Sequence, residues 1–276
     1  MTTQERQLRL DNHAGMMTAR QAGAFLVEVG VALRYGPSTS LPLASMYHAI
    51  ARHQPPEAEQ DAQRRATELT NALIADGTAI ETNAIADRVV VLHKDLAPAV
   101  YALRRRVELD KLELSDDARR VLDFIAITER PTAGNVRDHL GVPPKTWPNR
   151  ADDALAELQR SLVIDRGGVE VPATGAPYLS RDGIPYRVFD REHPAIVAAA
   201  KELDVPTAAK FLVGRYLAGA ATGTRRKLRL IFKACLSAGE LDDAIAALVA
   251  DGSVTVEKDQ VRCLPRSSKP DAPTRR

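Results

Sequence analysis

The chain has 276 residues, of which 45% are hydrophobic and 27% charged, so it holds enough apolar material for two or three small domains. The 38 lysines and arginines nearly balance 36 aspartates and glutamates, and the net charge of +2 excludes a uniformly basic polyanion-binding protein. No run of about 18 apolar residues and no hydrophobic signal core occur, which excludes a membrane span and predicts a cytoplasmic protein.

Both ends of the chain, residues 1–15 and 266–276, are polar and charged, and we expect them to be disordered, the second as a basic tail. The first unit, 16–94, predicts three helices and a hairpin. Thr18 can cap the first helix, whose apolar spacing continues to near Tyr35. Two further helices and then two strands follow, at about 42–53, 58–75, 78–82 and 88–92.

Two more units are predicted after a linker, 95–114, which combines a connecting helix with an acidic stretch. In the second unit, 115–190, three helices precede a long Pro- and Gly-rich hairpin where we expect specificity to reside; these elements lie at about 116–129, 132–140, 148–161 and 167–189. The third unit, 191–265, predicts three helices and a hairpin, at about 206–219, 224–236, 238–250 and 254–264.

One stretch of sequence occurs twice, as NALIADGTAIET at 71–82 and as AALVADGSVTVE at 246–257. In both copies a helical apolar spacing ends at Asp-Gly, where glycine suits the left-handed position after a helix, and a short strand begins at once. A weaker third copy, 155–168, lacks the Asp-Gly pair. Helix, tight turn and strand form the end of a winged helix-turn-helix. We therefore predict a mainly α protein with small antiparallel β-hairpins (α+β), built of three tandem winged helix-turn-helix-like units.

The helix predicted at 224–236 is strongly amphipathic. Opposite its apolar stripe lies a cationic stripe consisting of Arg225, Arg226, Arg229 and Lys233. Such a stripe is either a solvated face or a ridge that contacts nucleic-acid phosphates. The next helix carries Asp242 and Asp243, which a DNA groove would repel, so we expect the third unit to pack or clamp and not to read bases.

The start of the third helix in the second unit is the best candidate for groove contact. A recognition helix contacts bases from its N-terminal residues, and the donors available there are Lys145, Asn149 and Arg150. The neighbouring Trp147 either belongs to this surface or packs back on its own helix. In the first unit, Arg64 and Arg65 occupy the same place, as DNA contacts or as plain solvent-exposed residues. The run 104–106, all arginine, either faces a phosphate backbone or neutralises nearby carboxylates.

Familiar catalytic and metal-binding signatures are absent from the sequence, which has no GxxxxGK[ST] loop, GxSxG elbow, HExxH helix or CxxC ribbon. The six histidines are scattered without the spacing of a ligand set, so we expect no metal and no other cofactor. Cys235 and Cys263 lie beside apolar residues and are typical of buried thiols in a reducing compartment.

Two segments carry a resemblance to a known family. In AAKFLVGRYLAGAATGTRRKLRLIF (208–232) an arginine-tyrosine-leucine helix precedes a Gly-Ala-Thr turn and a basic helix, and RADDALAELQRSLVIDRGG (150–168) precedes the long hairpin. With the opening helix from Met17, most of 17–264 resembles the tandem winged-helix DNA glycosylases of the AlkZ/YcaQ type. The resemblance implies DNA binding by a concave surface between winged helices, and excision of alkylated or crosslinked bases.

The catalytic signature of that family is a pair of glutamines, or a glutamine and an aspartate, separated by one residue. This chain has no QxQ or QxD, and the nearest approach is the reversed pair Asp61 and Gln63. The resemblance therefore allows a DNA-binding relative that acts in repair without base excision. The second hypothesis is an active glycosylase in which Asp61 or Gln63 orients a water at the sugar C1′ of a distorted or flipped nucleotide.

A third hypothesis is a protein-interaction scaffold, because winged helices also bind proteins and the net charge is close to neutral. The leading hypothesis is DNA binding. For it we expect a monomer, associated with the nucleoid and not with a membrane, whose partner is double-stranded DNA, damaged or intact.

Overall fold

The computed structural model of the chain describes residues 13–36, 41–52, 58–86, 88–143, 146, 148–169 and 183–264. Within these ranges the protein is mainly helical with small sheets, which confirms the predicted α+β class. The predicted tail 266–276, most of the N-terminal segment 1–15 and the middle of the long hairpin lie outside them.

The first unit comprises α1 (Ala19–Val29), β1 (Val31–Leu33), β2 (Ala44–Ser45), α2 (Met46–Ala51), α3 (Glu59–Ala75), β3 (Ala79–Thr82) and β4 (Val90–His93). Thr18 caps α1 through a reciprocal capping box with Gln21. The expected continuation of this helix to near Tyr35 is wrong, because Gly30 adopts a φ of +73° and the chain turns into β1. Since β1 is buried along its whole length, its apolar run has no period that distinguishes it from a helix.

The linker and the second unit follow the predicted order. A 3₁₀ turn (Lys94–Leu96), α4 (Ala97–Arg104) and a second 3₁₀ turn (Leu109–Lys111) form the linker. The second unit comprises α5 (Asp116–Ile127), α6 (Ala133–Leu140), α7 (Arg150–Arg160), β5 (Ile164–Arg166) and β6 (Tyr186–Val188). Ser115, Thr132 and Asn149 cap its helices by accepting hydrogen bonds from first-turn N–H groups.

The rest of the chain forms α8 (Phe189–Glu192), α9 (Pro194–Lys201), α10 (Val205–Ala220), β7 (Thr222–Thr224), α11 (Arg225–Phe232), α12 (Ala238–Ala250), β8 (Val254–Glu257) and β9 (Gln260–Cys263). The apolar pattern predicts neither α9 nor β7. In α9 only Ala200 is fully buried, and β7 is a half-buried Thr-Gly-Thr, so neither element leaves a periodic signal.

The larger sheet crosses the boundary between the first and second units. Its strand order is β2-β1-β4-β3-β5-β6, with β1 and β2 parallel and the other pairs antiparallel. β3 and β5 meet at one register pair, Glu81 opposite Arg166. The hairpins of the two units therefore lie edge to edge, whereas the sheet β7-β9-β8 belongs to the third unit alone.

The first and third units share one topology. Apart from β2 in the first unit and α9 at the start of the third, each contains a helix, a strand, two helices and a hairpin. In both units the early strand pairs with the last strand, β1 with β4 and β7 with β9. In the second unit the early strand is reduced to a single bridge between Thr132 and Pro185, just before β6. Three consecutive stretches of the chain thus repeat one order of elements.

The repeated Asp-Gly turn has the same geometry in both copies. Gly77 and Gly252 have φ angles of +74° and +75°. In each turn the preceding aspartate accepts a hydrogen bond of 2.9 Å from the backbone N–H two residues on. The third copy places Leu162 in the left-handed position, with a φ of +53°. Leucine is strained in this conformation, and complete burial of its side chain offsets the strain.

Two apolar cores divide the chain unevenly. The larger core joins the first unit, α4 and the third unit, and it also contains Leu162 and Phe189 of the second unit. The smaller core lies among α5, α6, α7 and β6. Helices α1 and α10 cross so closely that a Cβ on Gly219 would lie 2.7 Å from the carbonyl oxygen of Glu28. The first and third units are therefore packed as one body, although 96 residues (95–190) separate them in sequence.

Candidate nucleic-acid interface

The cationic stripe of the third unit lies on α11. Thr224 caps this helix, and its apolar side, formed by Leu228, Ile231 and Phe232, is buried in the larger core. The predicted contact residues lie on the other side: Arg226, Arg229 and Lys233 are exposed, and Arg225 is half-buried. The helix therefore presents a cationic face, as its amphipathic spacing predicts.

Two of these arginines hold the same carboxylate. Nη1 of Arg225 lies 2.7 Å from Oδ1 of Asp242, and Nη2 of Arg229 lies 2.9 Å from Oδ2 of the same residue. Asp242 belongs to α12, so the outer face of α11 is tied to the neighbouring helix. Arg226 is exposed and forms no hydrogen bond or ion pair with any residue that the structure describes.

The start of α7 was the strongest groove candidate in the sequence. Lys145 and its neighbour Trp147 lie outside the described residues. Asn149 is 7% exposed, and its side chain accepts a hydrogen bond from the N–H of Asp152 and donates to the Thr146 carbonyl and the Asp152 carboxylate. The buried amide of Asn149 therefore serves as the helix cap, and its contact with DNA stays a prediction.

Arg150 keeps its guanidinium half exposed at the same helix start. It donates to the carbonyl oxygen of Leu140 at the end of α6 and lies 3.7 Å from Oδ1 of Asp117 on α5. The guanidinium therefore lies where the three helices of the second unit meet. With a side chain that is 51% exposed, Arg150 presents a cation that a ligand can reach.

The first unit places its candidate cations in a surface of mixed charge. Arg65 forms an ion pair with Glu68 at 2.8 Å, and Arg64 is half-buried on the same helix, α3. Glu59 and Asp61 occupy the first turn of α3. This helix start is therefore much less cationic than the outer face of α11.

Asp61 and Gln63 do not converge on one centre. Residues two apart on a helix point about 200° from each other, and accordingly Asp61 is exposed whereas Gln63 is 9% exposed. Nε2 of Gln63 donates to Oε1 of Glu59 at 3.2 Å. Its buried Oε1 has no hydrogen-bond partner among the described residues. The structure therefore presents Gln63 alone, without the aspartate, to the interior of the first unit.

The first unit also contains a buried polar group that no sequence motif marks. Nη2 of Arg34 donates to Oε2 of Glu81 at 2.7 Å, and both side chains are less than a tenth exposed. The hydroxyl of Tyr35, next to Arg34, lies 2.9 Å from Oγ1 of Thr67 on α3. Nε of Arg34 is buried without a partner in the described part of the chain. The sequence signal is one charged residue just after β1, Arg34, and one within β3, Glu81. A separation of 47 residues prevents periodicity from pairing them.

The hairpin of the first unit is buried at its tip, where Ala84 and Ile85 have no exposed surface. Sγ of Cys235 in the third unit lies 3.1 Å from the Ala84 carbonyl oxygen, and Thr82 donates to a carbonyl of α7 in the second unit. Residues 82–85 of this hairpin are therefore enclosed by contacts with the other two units. The hairpin tip of the third unit, 258–259, is exposed.

The arginine run of the linker ties the units together. Arg105 donates to both carboxylate oxygens of Asp190 in the second unit, at 3.3 and 3.2 Å. Arg106 donates to both oxygens of Glu240 in the third unit, at 2.6 and 3.1 Å, and these hydrogen bonds lower the pKa of Glu240 to about 2. Arg105 and Arg106 therefore neutralise carboxylates of the flanking units.

No helix in the described part of the chain combines the length and apolar content needed to cross a membrane. Within the same ranges, no group of three or more histidines, cysteines or acidic residues is arranged to hold a metal ion. Cys235 is buried and Cys263 is half-buried, and neither forms a disulfide within the described residues.

Comparison with known proteins identifies a structural likeness. No family model matches the chain, and no curated protein matches it in sequence. Among solved structures, the Streptomyces sahachiroi DNA glycosylase AlkZ is similar, with a TM-score of 0.52 and 12% sequence identity. The likeness covers 91% of this chain, which spans 64% of the length of that protein. It supports the structural part of the resemblance seen in the sequence: the fold of this chain is similar to that of an AlkZ-type DNA glycosylase.

Proposed function

We propose that this protein binds double-stranded DNA and acts in DNA repair, without base excision, as a structural relative of AlkZ-type glycosylases. The observation that carries the proposal is the fold likeness to a DNA glycosylase over 91% of the chain. On this proposal the protein works as a monomer in the cytoplasm, associated with the nucleoid, and binds damaged or intact duplexes.

The repeated topology supports an assignment of 16–94, 115–190 and 191–265 as three winged-helix units. A winged helix places a helix-turn-helix between an early strand and a hairpin, which together form one small sheet. The pairs β1–β4 and β7–β9 have this form, and the bridge between Thr132 and Pro185 is its reduced version.

The outer face of α11 is the surface that we assign to the DNA backbone. It carries four cations within nine positions, on α11 and the residue that follows it: Arg225, Arg226, Arg229 and Lys233. Guanidinium groups suit phosphate because their N–H donors match two oxygens at once. Arg150 adds a cation from the second unit, and Arg64, Arg65 and Lys145 complete the proposed set.

Binding without base excision is supported by the positions of Asp61 and Gln63, which point to opposite sides of α3. A second candidate, an active glycosylase, is favoured by one observation. The amide oxygen of Gln63 is buried without a partner among the described residues. A carbonyl oxygen in this state can orient a water towards a sugar C1′.

The test of DNA binding is a fluorescence-anisotropy titration of a duplex, with and without an abasic or alkylated site, across a range of salt concentrations. We expect salt-sensitive binding. The triple variant Arg225→Ala/Arg226→Ala/Arg229→Ala should weaken it at least about tenfold and lower the salt slope by about two to three. A matched control removes three exposed cations elsewhere, in Lys111→Ala/Arg119→Ala/Lys201→Ala.

Equal losses in the two triple variants would overturn the assignment of α11. Absence of binding by the wild type at low salt would refute DNA binding itself and favour the interaction scaffold.

Catalysis is tested by incubating the wild type with an alkylated duplex and measuring released base. The proposal predicts no release. Release that is lost in Gln63→Ala and kept in Asp61→Asn would establish the second candidate, with Gln63 as the residue that acts on the water.

A further inference from the structure

Asp242 is held by two guanidinium groups at once. Arg225 and Arg229 lie one turn apart on α11, and each donates to a different oxygen of the carboxylate, at 2.7 and 2.9 Å. We call this group the arginine–aspartate bridge. Its side chains are 33%, 50% and 38% exposed, in the order Arg225, Arg229 and Asp242. The bridge therefore lies at the surface, where a ligand can reach it.

A phosphodiester can accept hydrogen bonds from the same guanidinium N–H groups that donate to Asp242. Carboxylate and phosphate both accept paired N–H hydrogen bonds from guanidinium groups, and both are anions whose charge is balanced by the cation. In the bridge one negative charge faces two positive charges, so the group keeps a net charge of about +1. A second anion is therefore attracted to a place that a carboxylate of the protein already fills.

The surroundings of the bridge add further positive charge. Arg226 is exposed, with no hydrogen bond or ion pair to the described residues, and Lys227 is half-buried on the same helix. On α12, Asp243 follows Asp242 but is exposed and forms no ion pair within the described ranges. Of the two neighbouring acids, only Asp242 thus occupies the guanidinium donors.

From this geometry we infer that Asp242 holds the place of a DNA phosphate on α11 when DNA is absent, and that it competes with phosphate for Arg225 and Arg229. The inference rests on the proposed function for the identity of the anion. It adds a built-in limit on affinity: each binding event must replace the contacts of Asp242. The bridge would then keep the protein from binding any duplex tightly through this face alone.

The test is the variant Asp242→Asn, which removes the charge and keeps the size of the side chain. It should bind duplex DNA about fivefold more tightly than the wild type at about 0.1 M salt, because two guanidinium groups are released to phosphate. The slope of log affinity against log salt should become steeper by about one unit. Both quantities come from the anisotropy titration described above.

Asp243→Asn is the matched control, because it removes the same charge one position along the same helix without touching the arginines. We expect it to change the affinity less than about twofold, since exposed charges are screened by salt. In the background Arg225→Ala/Arg229→Ala, Asp242→Asn should give no gain beyond that of the control. This double-mutant comparison isolates the competition from the general effect of charge.

The inference would be overturned if Asp242→Asn and Asp243→Asn bound DNA with equal affinity, or if Asp242→Asn bound DNA more weakly than the wild type. The proposed function would still stand in either case, provided that the wild type binds DNA. Inorganic pyrophosphate serves as a second probe that does not depend on DNA. It should raise the melting temperature of Asp242→Asn more than that of the wild type or of Asp243→Asn. If no variant binds DNA but this difference appears, the proposed function fails and the anion site remains; if neither appears, both fail.

Discussion

The second unit and the pair formed by the first and third units repeat one order of elements, yet they are stabilised differently. The first and third units share the larger core, and both close their third helix with an Asp-Gly turn. The second unit has its own smaller core and uses Leu162 in that turn. It is joined to the rest by a sheet edge, by polar side chains and by the burial of Leu162 and Phe189 in the larger core.

This difference shows that order along the chain does not decide which parts fold together. The linker helix α4 packs against α10 of the third unit, and α10 also packs against α1 of the first unit. The chain therefore returns to the first unit after it has completed the second. Rigid spacing between the two outer units follows from their common core. The second unit, with fewer apolar ties, is the part whose position can be altered with the least loss of stability.

The largest expected effect on stability comes from removing the Leu162 side chain, which joins the second unit to the larger core. We expect Leu162→Ala to lower the free energy of unfolding by about 3 kcal/mol, because a fully buried leucine is lost and the left-handed backbone remains. Leu162→Gly should be no less stable than the alanine variant, because glycine relieves about 1 kcal/mol of strain at positive φ. Denaturant unfolding measures both. A glycine variant more than about 1 kcal/mol below the alanine variant would contradict the offset between strain and burial.

Gly219 tests whether the first and third units unfold as one body. Gly219→Ala should destabilise the protein by about 2 kcal/mol, because the new Cβ meets backbone atoms of α1 that cannot rotate away. Hydrogen exchange should accelerate in α1 and α10 together. The control Gly239→Ala, on α12 with open space around it, should be neutral or stabilising by up to about 1 kcal/mol. Faster exchange confined to α10 would show that the two units do not share one cooperative core.

Asn71 tests the polar attachment of the second unit. Its Nδ2 donates to the Val169 carbonyl at 2.5 Å and its Oδ1 accepts from the Val169 N–H at 3.2 Å. Asn71→Ala should cost about 1 kcal/mol and raise hydrogen exchange around β5 while sparing α1. Glu68→Ala, on the exposed side of the same helix, is the control and should have a smaller effect. A uniform rise in exchange over the whole protein would contradict a separate attachment.

The smallest expected effect is the pH dependence of the stability that the ion pair between Arg106 and Glu240 contributes. Hydrogen bonds from Arg106, and next from the Ser237 backbone N–H, lower the pKa of Glu240 from 4.5 to about 2. The stabilisation that they give is therefore complete above pH 4.5 and is lost as the pH falls through about 2. Glu240→Gln should lower the free energy of unfolding by less than about 1 kcal/mol at pH 7, because the ion pair is partly exposed. Between pH 4.5 and 2 this variant should lose less stability than the wild type does.

Melting temperatures at pH 7, 4 and 3 measure this response, with Asp243→Asn on the same helix as the control. If the melting temperature of Glu240→Gln fell with pH as steeply as that of the wild type, the ion pair between Arg106 and Glu240 would add no stability between the linker and the third unit.

The sequence by itself determined the local elements. Capping by Thr18, Ser115 and Thr132, the helical apolar spacing and the left-handed glycines of the two Asp-Gly turns all act within a few residues. These interactions leave a readable pattern because each one depends only on neighbours along the chain. The cationic face of α11 was predictable for the same reason.

Only the tertiary structure decided which of these elements meet. The pairing of Glu81 with Arg34, the tie of Arg105 to Asp190 and the burial of the first hairpin tip join residues that are tens of positions apart. The sharing of Asp242 by two arginines likewise follows from the packing of α11 on α12. No periodicity encodes such partners, since they depend on the final arrangement of the cores, and that arrangement sets which charges remain available to a ligand.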